Sequence, residues 1–221
     1  MNFPDLSDDE IESKALELLE DYYQSIDSPM TTPVPVEVMA ETFLGYDIEF
    51  VDDGIFSNPN VLGGIVFEDH VIYVNVATEA HEGRYNFTIA HELGHHILHR
   101  PLVDGSQIIC RESDNRPIEE AQADRFAAAL LMPKAAIDKA VTTVGLAPKT
   151  RHPKVIRGYA ARVSKAALMT NVSNTAMINR LIDLGHLSDS EGYYSSFRKN
   201  HYIRRNPIKA IFSWVYSILK L

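Results

Sequence analysis

The chain has 221 residues, 45% hydrophobic and 23% charged, the balance of a soluble globular protein, which argues against a disordered or fibrous chain. At this length it can bury a core unaided, and its single cysteine, Cys110, rules out an intrachain disulfide, as suits a reducing cytoplasm. The net charge of -9 is unevenly spread: residues 1–100 hold 3 Lys/Arg against 20 Asp/Glu, and residues 101–221 hold 18 against 10, so the halves favour partners of opposite sign or present solvated faces.

The first residues lack the positive flank and apolar core of a secretory signal, and no apolar run of about 18 residues occurs anywhere, so a cytoplasmic protein is expected. Ser7-Asp8-Asp9-Glu10 has the form of a capping box, followed at helical spacing by Ile11, Ala15, Leu18, Leu19 and Tyr22. After a proline-rich link, Pro35 opens a short helix that stops at Gly45. Asp47 to Asp52 alternates as a half-buried strand does. Leu62–Phe67 and Val71–Val76, joined by Glu68-Asp69-His70, predict an antiparallel hairpin. Helical spacing returns from Tyr85 to His99 and from Ile118 to Leu131, with an aperiodic loop between at 102–116. A short helix over Ala135–Val141 and a pair over Val155–Met169 and Thr175–Leu184 complete the pattern, which is α+β with a small antiparallel sheet directly before the His91 helix.

Chemistry concentrates in His91-Glu92-Leu93-Gly94-His95. Two histidines four apart on a helix share a face, with Cβ atoms about 6 Å apart, so both rings can reach one ion. Glu92 flanks that face, where a carboxylate can take a proton from water attacking a carbonyl and pass it to the leaving amine. A catalytic zinc needs a third protein ligand, for which Glu119 and Glu120 on the next helix are both candidates. Asp124, one turn beyond Glu120, is placed to accept a hydrogen bond from the non-ligating nitrogen of a zinc histidine. His96 is turned about 100° from His95 and reads as a packing or surface residue. His99 reads as a hydrogen-bonded histidine at the helix end, and Cys110 as a plain thiol rather than an inhibitory ligand. The rival from another class is a DNA- or protein-binding regulator with a structural zinc, which would need no carboxylate at position 92 and would normally have four protein ligands.

These segments, with Pro33-Val34-Pro35-Val36, Ile72-Tyr73-Val74-Asn75, Arg84 to His95, Leu98-His99, Glu120 to Ala127 and Leu130-Leu131-Met132-Pro133, resemble the ImmA/IrrE metallo-endopeptidases over about residues 8–188. The resemblance implies a gluzincin-like, zincin-type fold with one zinc per chain on His91, His95 and Glu120, and Glu92 as catalytic base. It also implies a protein substrate, a helix-turn-helix repressor or antitoxin-like regulator of a mobile element, phage or stress response. In zinc peptidases of such layout an edge strand holds the substrate extended by backbone pairing, for which Gly64 and Tyr73 are the candidate contacts here, Gly63-Gly64 permitting close approach.

The expected organisation is a zincin-like metallopeptidase domain over 1–145, a helix-turn-helix-like helical subdomain over 146–190 and a basic amphipathic tail over 191–221. In the helical subdomain Arg157, Arg162, Lys165 and Arg180 are too few and scattered for DNA binding, which favours a docking or structural role. In the tail Ile208, Ile211, Phe212, Val215, Ile218 and Leu219 form one stripe, read as docking on the body or a partner in preference to an anionic membrane.

Overall fold

Ser7 starts the first helix as the capping box predicts. Its Oγ accepts from the Glu10 amide, and the Glu10 carboxylate accepts from the Ser7 amide at 2.8 Å. In the computed structural model, which describes residues 3–52, 62–76, 81–100, 118–148 and 152–188, α1 (Asp8–Ser25) buries Ile11, Ala15, Leu18, Leu19, Tyr22 and Tyr23 on one stripe. The expected loop at 102–116, Cys110 and the amphipathic tail 191–221 lie outside the described residues.

The link after α1 is tied down by the Tyr23 hydroxyl, 3.1 Å from the carbonyl oxygen of Thr31. It leads into α2 (Val36–Val38), which widens into a π-helical turn at Met39–Phe43 closed by Leu44 N–H donating to Met39 O. Gly45, at φ +73°, turns the chain out of that helix, a left-handed conformation that favours glycine.

Among the described residues three strands follow: β1 (Asp47–Val51), β2 (Gly63–Val66) and β3 (Val71–Asn75), in the order β1-β3-β2. The β2–β3 hairpin is antiparallel as expected, but β1 runs parallel to β3, so the sheet is mixed and not purely antiparallel. The physical reason is that β1 reaches β3 by a long connection and not by a tight turn, and an alternating strand carries no record of its direction.

α3 (Glu82–Leu98) crosses one face of this sheet. Phe50 of β1 stacks on Tyr85 of α3 with ring centroids 5.7 Å apart. A Cβ on Gly63 of β2 would lie only 2.4 Å from Thr88 Cγ2, which is why the strand carries glycine there. Behind α3 lies α4 (Ile118–Leu131), which also packs on α1. Pro133 caps α5 (Lys134–Val144), and α6 (Pro153–Ala166) and α7 (Asn174–Asp183) form a helical pair.

That pair shares the main core, a cluster running from Ile11 to Leu187. Arg180, 3% exposed, donates through Nε to the carbonyl oxygen of Met132 and through its other nitrogens to both carboxylate oxygens of Glu12. Thr32 Oγ1 donates to Ala167 O and Asn171 Nδ2 to Val34 O, stitching the α6–α7 corner to the link after α1. No helix of the described residues is long and apolar enough to cross a membrane.

Candidate metal centre

The packing of α3 on α4 sets the geometry. The two helices meet at Gly94, where a Cβ would stand 3.0 Å from Ala123 Cα and 3.1 Å from Ala123 O. Such an approach needs a residue without a side chain, and it brings the His91–His95 face of α3 against the first turn of α4. His91 and His95 are one turn apart with ring centroids 4.8 Å apart and Nε2 atoms 3.1 Å apart. Glu120 meets both: Oε2 is 3.3 Å from His91 Nε2 and Oε1 is 3.3 Å from His95 Nε2. Among the described residues these three are brought together in a group able to hold a metal ion. Glu119, the other candidate, is buried and is not part of that group.

The spacing tests whether a metal fits. Ligands held about 2.0–2.1 Å from a tetrahedral zinc stand about 3.3–3.4 Å from one another. The observed 3.1 and 3.3 Å separations match that triangle with little movement. Two imidazoles and a carboxylate suit zinc, and also manganese or iron.

Charge in the site is arranged accordingly. Partial burial opposes the Glu120 charge, but hydrogen bonds from His91 and His95 and their proximity outweigh it and hold its carboxyl well below the usual range. Burial likewise opposes a charge on His91, and Asp124 and Glu120 outweigh it and raise that imidazole. His91 Nδ1 lies 2.8 Å from Asp124 Oδ1, the contact expected of a carboxylate that orients a metal histidine. Glu92, 6% exposed, is pushed up by burial against the opposing influence of His91 and His95, which makes its carboxylate more basic. Its Oε1 points toward β2, 3.5 Å from the position a Cβ on Gly63 would take.

His96 and His99, the other histidines near the end of α3, are not part of the triangle. His96 Nδ1 is 2.7 Å from the Tyr46 hydroxyl, and burial, helped by Arg100 and His70, pushes its imidazole down to about 4. His99 is fully buried, its Nδ1 2.9 Å from His95 Nδ1 and its Nε2 3.0 Å from Gln122 Oε1.

Among the described residues β2 is the sheet edge beside α3. Asn75 N–H donates to Leu62 O, so the pairs Leu62/Asn75, Gly64/Tyr73 and Val66/Val71 exchange hydrogen bonds, and the backbone groups of Gly63 and Ile65 point to the outer edge. Gly64 therefore directs its backbone into the hairpin. Tyr73 sits on the central strand, and alternation puts its side chain on the face away from α3, beside Glu49, where burial and the acidic neighbours Glu49 and Asp69 push its phenol up. Of the two glycines singled out in the sequence, the register turns the backbone of Gly63 and not of Gly64 to the outer edge, together with Ile65, which the sequence did not single out. Gln122, between Glu120 and Asp124, is buried with Oε1 3.0 Å from His99 Nε2, a contact that the sequence did not signal.

Residues 34–144, half of the chain, match the Peptidase_M78 model, described as the IrrE N-terminal-like domain. The chain belongs to this family. The matched stretch carries all three strands, the histidine helix α3, α4 and α5, and it ends before α6. Family membership marks the domain as metallopeptidase-like and points to a protein substrate. No curated protein matches the chain.

Proposed function

We propose that this Peptidase_M78 chain is a zinc-dependent endopeptidase of zincin type, with His91, His95 and Glu120 as metal ligands and Glu92 as general base. The observation that carries the reading is the triangle of donor atoms at 3.1 and 3.3 Å with the buried, basic Glu92 on the same helix. Zinc, when bound there, supplies a Lewis acid that polarises a peptide carbonyl and makes a water acidic enough to lose a proton near neutral pH. Glu92 accepts that proton and returns it to the departing amine, so the carboxylate ends the cycle as it began. Asp124 holds His91 with its proton on Nδ1, leaving Nε2 free to ligate. The outer edge of β2 offers the N–H and C=O of Gly63 and Ile65 to an extended peptide, which pairs as an added strand next to Glu92.

Under this reading residues 1–145 form the peptidase domain and residues 146–190 a helix-turn-helix-like subdomain. Arg180 is spent on Glu12 and Met132 O, which favours a structural or docking role for α6 and α7 over DNA contact. The substrate is a cytoplasmic helix-turn-helix repressor or antitoxin-like regulator, and a small protein of that kind encoded beside this chain is the first to incubate with it. Glu92→Gln keeps the size and loses the base, so it retains one zinc per chain and lowers cleavage by about 10²–10⁴-fold. Unchanged cleavage by that variant contradicts the mechanism.

A further inference from the structure

Beyond the metal triangle, a line of buried polar groups runs from His95 to the N-terminal segment. His95 Nδ1 is 2.9 Å from His99 Nδ1, His99 Nε2 is 3.0 Å from Gln122 Oε1, and Gln122 Nε2 donates to the carbonyl oxygen of Pro4 at 2.7 Å. Phe3 closes the end, its ring edge-on to His99 with centroids 5.2 Å apart. His99 is 0% exposed and Gln122 3%, so water does not substitute for these contacts.

The direction of every bond in this line follows from its far end. A carbonyl oxygen only accepts, so the Gln122 amide must turn its NH₂ to Pro4 and its Oε1 to His99. His99 must then carry its proton on Nε2, and its Nδ1 is left as an acceptor. Only one hydrogen fits between the two Nδ1 atoms, so it belongs to His95. With its Nδ1 hydrogen committed to His99, His95 turns Nε2 to Glu120 and His91, where a metal would take the place of the hydrogen that Nε2 gives to Glu120 in the metal-free site. Asp124 does for His91 what this line does for His95, but through one carboxylate and not three groups.

We propose that Gln122 and His99 are positioning residues, forming a relay anchored on the Pro4 carbonyl that fixes the His95 tautomer and so presets the metal site. The inference rests on the assignment of His95 as a ligand. It differs from simple satisfaction of buried polar groups in one respect: what matters at position 122 is an acceptor facing His99.

The test compares Gln122→Met, which removes the acceptor at similar volume, with Gln122→Glu, which keeps the acceptor and loses the donor to Pro4. Zinc affinity of the full chain is measured by chelator competition, and the ¹⁵N chemical shifts of His99 report its tautomer with and without zinc. The relay predicts Nε2–H on His99 in the wild type and in Gln122→Glu. It also predicts zinc affinity within about threefold of wild type for Gln122→Glu, against a loss of about 10–100-fold for Gln122→Met. A proton on His99 Nδ1, or Gln122→Glu binding zinc no tighter than Gln122→Met, overturns the relay. A wild-type chain that binds no zinc refutes the metal assignment itself, and the His99 tautomer in that metal-free protein still decides the direction of the line.

Discussion

Replacing Gly94 with alanine sets two opposing effects against each other in one residue. Helix propensity alone favours the substitution by about 0.8–1 kcal/mol. The contacts oppose it: the new Cβ would stand 3.0 Å from Ala123 Cα, 3.1 Å from Ala123 O and 3.3 Å from Phe126 Cβ. Two of these atoms are helix backbone and cannot swing aside, so restoring ordinary carbon contacts moves α4 away by about half an ångström. Overpacking of this kind costs about 1–3 kcal/mol, which leaves a net destabilisation of about 0–2 kcal/mol. The larger consequence falls on the metal. Glu120 and Asp124 ride on α4 beside Ala123, and metal–ligand distances tolerate only about 0.2 Å, so zinc affinity falls about tenfold or more. Gly158, on the exposed side of α6 with nothing within 4 Å of its Cβ position, is the internal control. Gly158→Ala gains the propensity term alone and raises Tm by about 2–4 °C. Thermal unfolding of both variants and zinc titration of Gly94→Ala decide the matter. A Gly94→Ala protein that is stabilised like Gly158→Ala and binds zinc as the wild type does refutes the close-approach argument.

Two further expectations concern stability. Arg180→Met strips the partner from Met132 O and the Glu12 carboxylate and costs about 3 kcal/mol in urea unfolding, of which Arg180→Lys recovers only part because an ammonium lacks the fork. An Arg180→Met cost within the noise of an ordinary surface substitution contradicts the pinning of α7 to α1. In the metal-free protein, His96 sits at about 4 when folded against an ordinary value of 6.5, so the unfolded chain takes up that proton first. Stability therefore falls as pH drops from about 6.5 to 4, and His96→Gln flattens that part of the Tm–pH curve. A slope unchanged by the substitution counts against a neutral, half-buried His96.

The elements that could be read from sequence are those whose signal is local. The Ser7–Glu10 box, the stripe of α1, the hairpin and the helical spacing of α3 and α4 each lie within one short continuous segment and appear in the fold as expected. The α3 histidine pair was equally plain, and Asp124 could be named because its i+4 relation to Glu120 is a property of one helix. What stayed hidden depends on contacts between distant segments. The parallel pairing of β1 with β3 requires a crossover that alternation does not encode. The outward groups at Gly63 and Ile65, in place of Gly64, are decided by register, which a shift of one residue reverses. Nothing in the residues around Pro4 signals that its carbonyl orients an amide 118 positions away. Gly94 could be read as part of a motif, but its reason, the backbone of Ala123, belongs to another helix.

The most direct test of the account is the metal content of purified single variants, measured by elemental analysis together with competitive zinc titration. The wild type, Glu119→Ala and Glu92→Gln are expected to hold one zinc per chain, and Glu120→Ala to lose it, because Glu120 alone of the two neighbouring carboxylates reaches both histidines at 3.3 Å. Full zinc occupancy with undiminished affinity in Glu120→Ala, or loss of the metal in Glu119→Ala, contradicts the assignment of the site.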